Sequence, residues 1–281
     1  TPFDTDNCID IQEAIRIAQF LAENGTDTIL LAGTTGESPT LSHQEEFQLF
    51  SAVSDALNGD VKIIAGTGSN CTKTAIESTE KAAECGVAGS LQVVPYYNKP
   101  SQEGLIAHFQ AIAASTSLPI MMYNIPGRTG INMEPETAAR LANVSNIVAL
   151  KESAGSIEQM QRLSHLIDDS FSIYCGDDGL TIPFLKHGAC GVVSVAAHCA
   201  GKQIQSMIQL YKNGDIEQAE AISNRLMPFF ETLFITSNPS PIKAAMNRLG
   251  FNVGKPRLPL IELTDIQEQK LEAVMNALNI V

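Results

Sequence analysis

The chain has 281 residues, enough for one large domain or two ordinary ones, and 44% of them are apolar, so a sizeable core can be buried. A formal net charge of −13 excludes nucleic acid and anionic membranes as expected partners, because both would repel the chain. No apolar run approaches the roughly 20 residues of a membrane helix. The opening TPFDTDNCID lacks the basic and then apolar order of a signal peptide, so we expect a cytoplasmic protein.

The first half of the chain alternates helices with short apolar strands. Residues 9–24 carry a helical apolar period that ends at Gly25, and TILLAG (28–33) predicts a strand buried on both faces. Ser42 and Glu45 form a capping box in front of the next helix. The following pairs are strand 61–66 with a helix to about 85, strand 90–94 with a helix from 101, and strand 119–123 with a helix from 135.

The second half continues the alternation and then contains helices alone. The predicted pairs are strand 147–151 with a helix from 157, strand 171–175 with a helix near 179–187, and strand 191–195 with a helix after 201. Beyond residue 215 the pattern predicts only the helices 216–236, 239–249 and 264–279. We therefore predict a main domain at 1–214 and a small helical appendage at 215–281.

Seven strand–helix units in strict alternation predict an α/β fold with a parallel sheet and right-handed crossovers. A (β/α)8 TIM barrel needs one strand more. We interpret Thr1-Pro2-Phe3 as the end of a first strand whose start lies outside this sequence. A doubly wound open sheet is the alternative, but it would carry a glycine fingerprint after its first strand, and none is found.

Polar and glycine-rich segments follow the predicted strands. They are GTTGES (33–38), GTGSN (66–70), PYYNKP (95–100), YNIPGRTG (123–130), KES (151–153), CGDD (175–178) and SVAAH (194–198). In a parallel barrel these positions share one face, the carboxyl ends of the strands, where barrel enzymes hold their active sites. The pattern therefore predicts an enzyme but does not specify its reaction.

Three residues in these segments suggest chemistry. Lys151 ends an apolar strand, where loss of solvation favours a neutral, nucleophilic amine. Its other interpretation is a strand-end lysine that reaches solvent or pairs with Glu152. Tyr123 ends another strand and could carry protons, while Arg128 could bind a carboxylate with two bonds. Packing for the tyrosine and a surface ion pair for the arginine are the alternatives.

The remaining motifs are less specific. GTTGES could bind a carboxylate through hydroxyl and backbone N–H groups, or it could be a turn in which Ser38 or Thr40 caps a helix. The five histidines show none of the spacings that bind metals, so we expect no metal. No phosphate-binding loop occurs, which argues against nucleotide chemistry.

Four motifs together, GTTGESPTL, PYYNKPSQEG, YNIPGRTG and ALKES, resemble the dihydrodipicolinate synthase family of pyruvate-dependent class I aldolases. The resemblance runs from Thr1 to PRLPL (256–260). It implies that Lys151 forms a Schiff base with pyruvate and that no other cofactor is needed. The roles it implies for the remaining site residues are a proton relay of Thr35, Tyr123 and Tyr97, a carboxylate cradle of Thr34 and Thr35, an entrance arginine at Arg128, and lining groups at Gly176 and Val193.

The resemblance also implies a reaction and an assembly. Pyruvate condenses with L-aspartate 4-semialdehyde to give 4-hydroxy-tetrahydrodipicolinate for diaminopimelate and lysine biosynthesis. The enzyme would be a homotetramer of two tight dimers, with Tyr97 reaching into a neighbouring subunit. The alternatives are another pyruvate-dependent aldolase, such as N-acetylneuraminate lyase or a 2-keto-3-deoxy-sugar-acid aldolase, and a non-catalytic barrel that senses an oxoacid. Arg128 and the pair Tyr96-Tyr97 favour the synthase over the sugar aldolases.

Inhibited members of the resembled family bind lysine in a cleft between two subunits. This chain matches them at Ser38, His43, Asn70 and Tyr96. It departs at two positions, because Glu46 stands where sensitive members have a histidine and Thr74 where they have a glutamate. We therefore expect weak or absent inhibition by lysine. The alternative interpretation is that Glu46 and Thr74 are solvated positions on helix surfaces.

Overall fold

The computed structural model describes residues 1–57, 59, 61–168 and 170–281, and it contains the predicted alternation of helices and strands. The strands are β1 (Thr28–Leu31), β2 (Lys62–Gly66), β3 (Gly89–Val93), β4 (Ile120–Asn124), β5 (Ile147–Glu152), β6 (Ser172–Cys175) and β7 (Gly191–Val192). The helices are α1 (Ile11–Glu23), α2 (His43–Leu57), α3 (Thr72–Glu84), α4 (Gln102–Ser115), α5 (Pro126–Thr129), α6 (Pro135–Leu141), α7 (Ile157–Leu166), α8 (Thr181–Leu185), α9 (Ala197–Lys212), α10 (Ile216–Thr232), α11 (Ser240–Arg248) and α12 (Asp265–Ala277).

Side-chain caps explain where several helices begin. The predicted capping box of α2 is confirmed, because Ser42 N donates to Glu45 Oε2 at 2.8 Å and Glu45 N donates to Ser42 Oγ at 3.3 Å. Ser101 accepts a bond from Gly104 N in front of α4, and Ser156 accepts one from Gln159 N in front of α7. Each cap satisfies a backbone N–H that has no partner within its helix.

Two segments differ from the prediction. Strand β7 is only two residues long instead of spanning 191–195, because Ser194 Oγ accepts a bond from Ala197 N and turns the chain into α9. That helix consequently begins before Gly201, the predicted start, with non-helical backbone angles at Ala200. Helix α5 was not predicted. Proline at its first position favours the helical turn within YNIPGRTG.

The chain forms two compact units. The first comprises Thr1–Lys62 and Ser194–Val281, and the second comprises Ile63–Val193. In the first unit α1 packs on α2, α10 packs on α9, and α12 packs on α10 and α11. The predicted boundary between 1–214 and 215–281 therefore remains a prediction. Within the residues described above, no helix combines the length and the apolar character that crossing a membrane requires.

In the second unit the strands β2 to β7 pair in parallel, each with the next in chain order. Leu105 and Phe109 of α4 are fully buried in one apolar cluster with Met122 and Leu150 of the sheet and Leu163 of α7. The register places Tyr123 of β4 opposite Lys151 of β5. Since parallel strands end at a common edge, the segments that follow β2 to β7 lie at one side of this sheet.

Candidate active site

Lys151 and Tyr123 form the centre of the site in the second unit. Lys151 is 9% exposed, and its Nζ lies 4.2 Å from the centre of the Tyr123 ring, which is also buried. The interpretation of Lys151 as a lysine that reaches solvent is therefore wrong. Pairing with Glu152 is also wrong, because the Glu152 carboxylate bonds Asn124, Gln159 and Ala154 N instead. Successive side chains of a strand point to opposite faces, which separates the two groups.

Gly176 leaves room for the lysine. A Cβ atom at Gly176 would lie 3.0 Å from Lys151 Cε and 1.8 Å from Ser153 Oγ, so no larger residue fits without displacement. Its backbone N–H donates to Glu152 O at 2.9 Å, and Val193 N donates to Cys175 O at 2.8 Å. Gly176 therefore lies beside Lys151, while Val193 continues the pairing of β6 with β7.

A buried polar network lies on the opposite face of β4 and β5. Asn124 Nδ2 donates to both Glu152 carboxylate oxygens, at 3.0 and 3.2 Å, and to Asn132 Oδ1 at 2.8 Å. Gln159 Nε2 donates to the same carboxylate at 3.2 Å. Burial raises the pKa of Glu152, and these hydrogen bonds oppose the increase. Sequence analysis missed this network, although Asn124 and Glu152 each directly follow a predicted catalytic residue.

Tyr97 and Arg128 are both exposed. The Tyr97 side chain is 88% exposed on a backbone with φ +74°, a conformation that non-glycine residues rarely adopt. Tyr97 N donates to Thr129 O at 3.3 Å, which joins the PYYNKP segment to α5. Arg128 lies on α5. Because both side chains are exposed, they are better placed to contact groups outside the chain than to pack within it.

In the first unit the GTTGES segment follows β1. Thr34 and Thr35 are half-buried, and Thr35 Oγ1 accepts a bond from Asn238 Nδ2 at 3.0 Å. Glu37 has a left-handed backbone with φ +59°, and its N–H donates to Thr34 O at 3.1 Å. Asn238 thus holds the Thr35 hydroxyl, and the backbone carbonyl of Thr34 closes a tight turn with Glu37.

Glu37 anchors this turn through a buried ion pair. Its carboxylate is 2.7 Å from Lys243 Nζ and accepts a bond from Arg257 N at 2.9 Å, and both side chains of the ion pair are buried. Lys243 and Arg257 also lie over the Phe3 ring, each 4.2 Å from its centre. Burial lowers the pKa of Lys243, whereas the bond to Glu37 raises it. Lys243 therefore has a structural role. Among the described residues, Lys151 is the buried lysine without a carboxylate partner.

The six residues of the predicted effector cleft fall into two groups. In the first unit Glu46 Oε1 accepts a hydrogen bond from Ser38 Oγ at 2.7 Å, and Glu46 Oε2 lies 3.1 Å from His43 Nδ1. Glu46 is 5% exposed and burial raises its pKa, so the interpretation of Glu46 as a solvated residue is wrong. In the second unit Asn70 Nδ2 donates to Tyr96 O at 3.1 Å.

Thr74 lies half-buried in the first turn of α3. Its backbone and side chain form hydrogen bonds with Cys71 that lower the pKa of that thiol. Thr74 is therefore engaged by its own helix terminus. For metals, no cluster of three or more potential ligands is found in the part of the chain that the structure describes.

The chain is similar to known proteins along its whole length. The model of the dihydrodipicolinate synthetase family matches residues 1–278. A 4-hydroxy-tetrahydrodipicolinate synthase from Nostoc punctiforme is 55% identical over 282 residues, covering 100% of this chain and 96% of that protein. One from Thermosynechococcus vestitus is 54% identical over 281 residues, covering 100% of this chain and 95% of that protein.

A solved structure is also similar over the whole chain. The dihydrodipicolinate synthase of Cyanidioschyzon merolae, crystallised with lysine bound, superposes with a TM-score of 0.98 at 50% identity, covering 100% of this chain and 96% of that one. At 50% identity the structural similarity confirms the predicted fold, an α/β protein of the (β/α)8 barrel class.

Proposed function

The chain belongs to the dihydrodipicolinate synthetase family, and from this premise we propose that Lys151 condenses pyruvate with L-aspartate 4-semialdehyde through an imine. The product is 4-hydroxy-tetrahydrodipicolinate, which makes the protein a lyase of diaminopimelate and lysine biosynthesis. The observation that carries the proposal is the buried Lys151 amine beside the Tyr123 ring. The other buried lysine among the described residues, Lys243, pairs with Glu37.

The reaction follows from this pair. Lys151 Nζ attacks the keto carbon of pyruvate, and water leaves as the imine forms. The imine withdraws electrons, so the methyl group loses a proton, which Tyr123 carries with Thr35 and Tyr97. The enamine carbon attacks the aldehyde, and attack by the amino group of the second substrate releases the lysine. Thr34 and Thr35 hold the pyruvate carboxylate, and the covalent imine replaces a bound cofactor.

A panel of aldehydes tests the choice of second substrate. Purified protein with pyruvate is offered aspartate semialdehyde, N-acetylmannosamine and glyceraldehyde, and pyruvate consumption is measured. We expect rapid turnover with aspartate semialdehyde alone. Faster turnover with a sugar aldehyde would assign the chain to a sugar-acid aldolase instead, and an imine without turnover on any aldehyde would indicate a sensor.

Arg128 is proposed to bind the carboxylate of the semialdehyde. The exposed guanidinium can reach an incoming anion, and a hydrogen bond to a charged group contributes about 1.5–3 kcal/mol. Arg128→Ala should therefore lower kcat/KM for the semialdehyde by roughly 10- to 150-fold while leaving the pyruvate imine intact. The control is Arg140→Ala, which removes another exposed arginine, one that pairs with Glu103. Equal losses for both substrates would show that Arg128 has a structural role.

We also propose that the active unit is a homotetramer of two tight dimers, working in the cytoplasm. The exposed Tyr97 ring supports a site completed by a neighbouring subunit. Mixing inactive Tyr97→Phe subunits with inactive Lys151→Ala subunits should restore activity, because each hybrid dimer regains one intact site. Verified hybrids without activity would contradict a shared site. Within each subunit, residues 1–214 are proposed to supply the barrel and 215–281 the helical appendage.

Feedback inhibition by lysine is proposed to be weak or absent. Ser38 Oγ donates to the buried Glu46 carboxylate and His43 Nδ1 lies 3.1 Å from it, so this carboxylate competes with an effector for both groups. Thr74 also offers no anion to the effector's ammonium, and charge-assisted bonds are the strong ones in such a site. The relative from Cyanidioschyzon merolae was crystallised with lysine bound. Weak inhibition by lysine is therefore proposed for this chain and not for the family as a whole, and it needs a test.

Initial rates at subsaturating pyruvate, with and without millimolar lysine, provide the test. We expect nearly equal rates for the natural sequence. The double variant Glu46→His with Thr74→Glu should become more sensitive to lysine, since it removes the buried carboxylate and supplies the missing anion. Strong inhibition of the natural sequence would show that the Glu46 cleft binds lysine despite both differences.

A further inference from the structure

The hydroxyl of Ser153 is the one unexplained polar atom beside the reactive lysine. Ser153 Oγ is fully buried and forms no hydrogen bond with any residue that the structure describes. An unsatisfied buried polar group destabilises the fold, so such a group in a native site points to a partner outside the chain. On the opposite face of β4 and β5 the polar side chains are satisfied, since Asn124 donates to the Glu152 carboxylate.

The position of Ser153 indicates which partner fits. A Cβ atom placed on Gly176 would lie 1.8 Å from Ser153 Oγ and 3.0 Å from Lys151 Cε. The two side chains are therefore neighbours beside Gly176. Both side chains therefore share one face. Ser153 N donates to Asn124 O at 2.8 Å, which continues the strand pairing by one residue. Two strand residues span roughly 6–7 Å, so Ser153 lies beyond Lys151, on the side of the strand ends.

We propose that Ser153 Oγ donates a hydrogen bond to the aldehyde oxygen of the second substrate, which becomes the hydroxyl group of the product. This proposal rests on the proposed function. When the enamine carbon bonds to the aldehyde carbon, the electron pair of the carbonyl moves onto that oxygen. A donor already placed at this oxygen stabilises the charge as it develops. Ser153 keeps its own proton, and the oxygen is protonated by the relay that Tyr123 serves.

Three measurements on Ser153→Ala test the assignment. Deuterium exchange of the pyruvate methyl group in heavy water, without aldehyde, reports the imine and enamine steps and should match the unmodified protein. At saturating pyruvate, kcat/KM for aspartate semialdehyde should fall roughly 10- to 100-fold. The melting temperature should stay the same or rise, because alanine removes an unsatisfied hydroxyl without breaking a bond.

Ser54→Ala is the matched control, since Ser54 Oγ on α2 is also buried without a partner. It should leave both kinetic quantities unchanged. Unchanged kcat/KM in Ser153→Ala would overturn the proposal. A parallel loss of methyl exchange would also overturn it, because Ser153 would then act on pyruvate. If the unmodified protein itself shows neither methyl exchange nor a trapped imine, the proposed function fails rather than the role of Ser153.

Discussion

Replacing Lys151 by alanine should abolish both turnover and the covalent adduct with pyruvate. The amine is buried, lies 4.2 Å from the centre of the Tyr123 ring and has no carboxylate partner among the described residues. No other group at the site can form an imine, so the loss should reach the detection limit. Borohydride reduction in the presence of pyruvate, followed by peptide mass spectrometry, measures it. The unmodified protein should gain one pyruvate-derived group on the peptide that contains Lys151.

The control and the contrary result are both specific. Lys62→Ala removes an exposed strand lysine and should leave trapping unchanged. An adduct on the peptide of Lys243 or of Lys186 would contradict the assignment. Lys243 is the stricter comparison, because it is buried as well but bonds Glu37, Thr1 O and Lys255 O. Burial is thus common to both lysines, and the absence of an ion pair distinguishes Lys151, the proposed nucleophile, from Lys243.

Glu37→Ala should lower the free energy of unfolding by about 3–5 kcal/mol, because it leaves the Lys243 ammonium buried without its counter-charge. Arg257 N also loses its acceptor. The measurement is urea unfolding, followed by circular dichroism. Glu103→Ala is the control, since its pair with Arg140 is exposed and should contribute little to the free energy of unfolding.

A double variant separates the charge from the packing. Lys243→Met alone should also be destabilising, because it leaves the Glu37 carboxylate buried and unpaired. Combining it with Glu37→Ala should recover part of the loss, since no isolated charge then remains. If Glu37→Ala lowers the free energy of unfolding by less than about 1 kcal/mol, the ion pair does not stabilise the GTTGES turn.

The order of helices and strands was predictable because short apolar runs alternate with amphipathic segments. The capping box of Ser42 and Glu45 shows how local chemistry alone places a helix start. The two-residue β7 was overestimated because Val193 and Val195 alternate with a polar residue as in a strand. The hydrogen bond from Ala197 N to Ser194 Oγ turns the chain there, and a side-chain bond of this kind leaves no periodic signal.

Individual site residues were predictable to different degrees. Lys151 and Tyr123 end predicted apolar strands, so their positions indicate a site without any family resemblance. Glu37 had no such signal, since its partners Lys243 and Arg257 lie more than 200 residues away in the chain. Ser153 was part of the KES segment, but an unpartnered hydroxyl can be recognised only when the surrounding atoms are known.

The alternation of side chains along β4 and β5 has a consequence for protein engineering. In our proposal Tyr123 and Lys151 face the reaction, and the next residues, Asn124 and Glu152, form a hydrogen-bond network on the opposite face of the two strands. Each dipeptide therefore combines one reactive residue with one that holds it in place. A library built to accept new aldehydes should keep both dipeptides intact. Its diversity belongs at Arg128 and Ser153, which lie outside this scaffold and face the incoming substrate in our proposals.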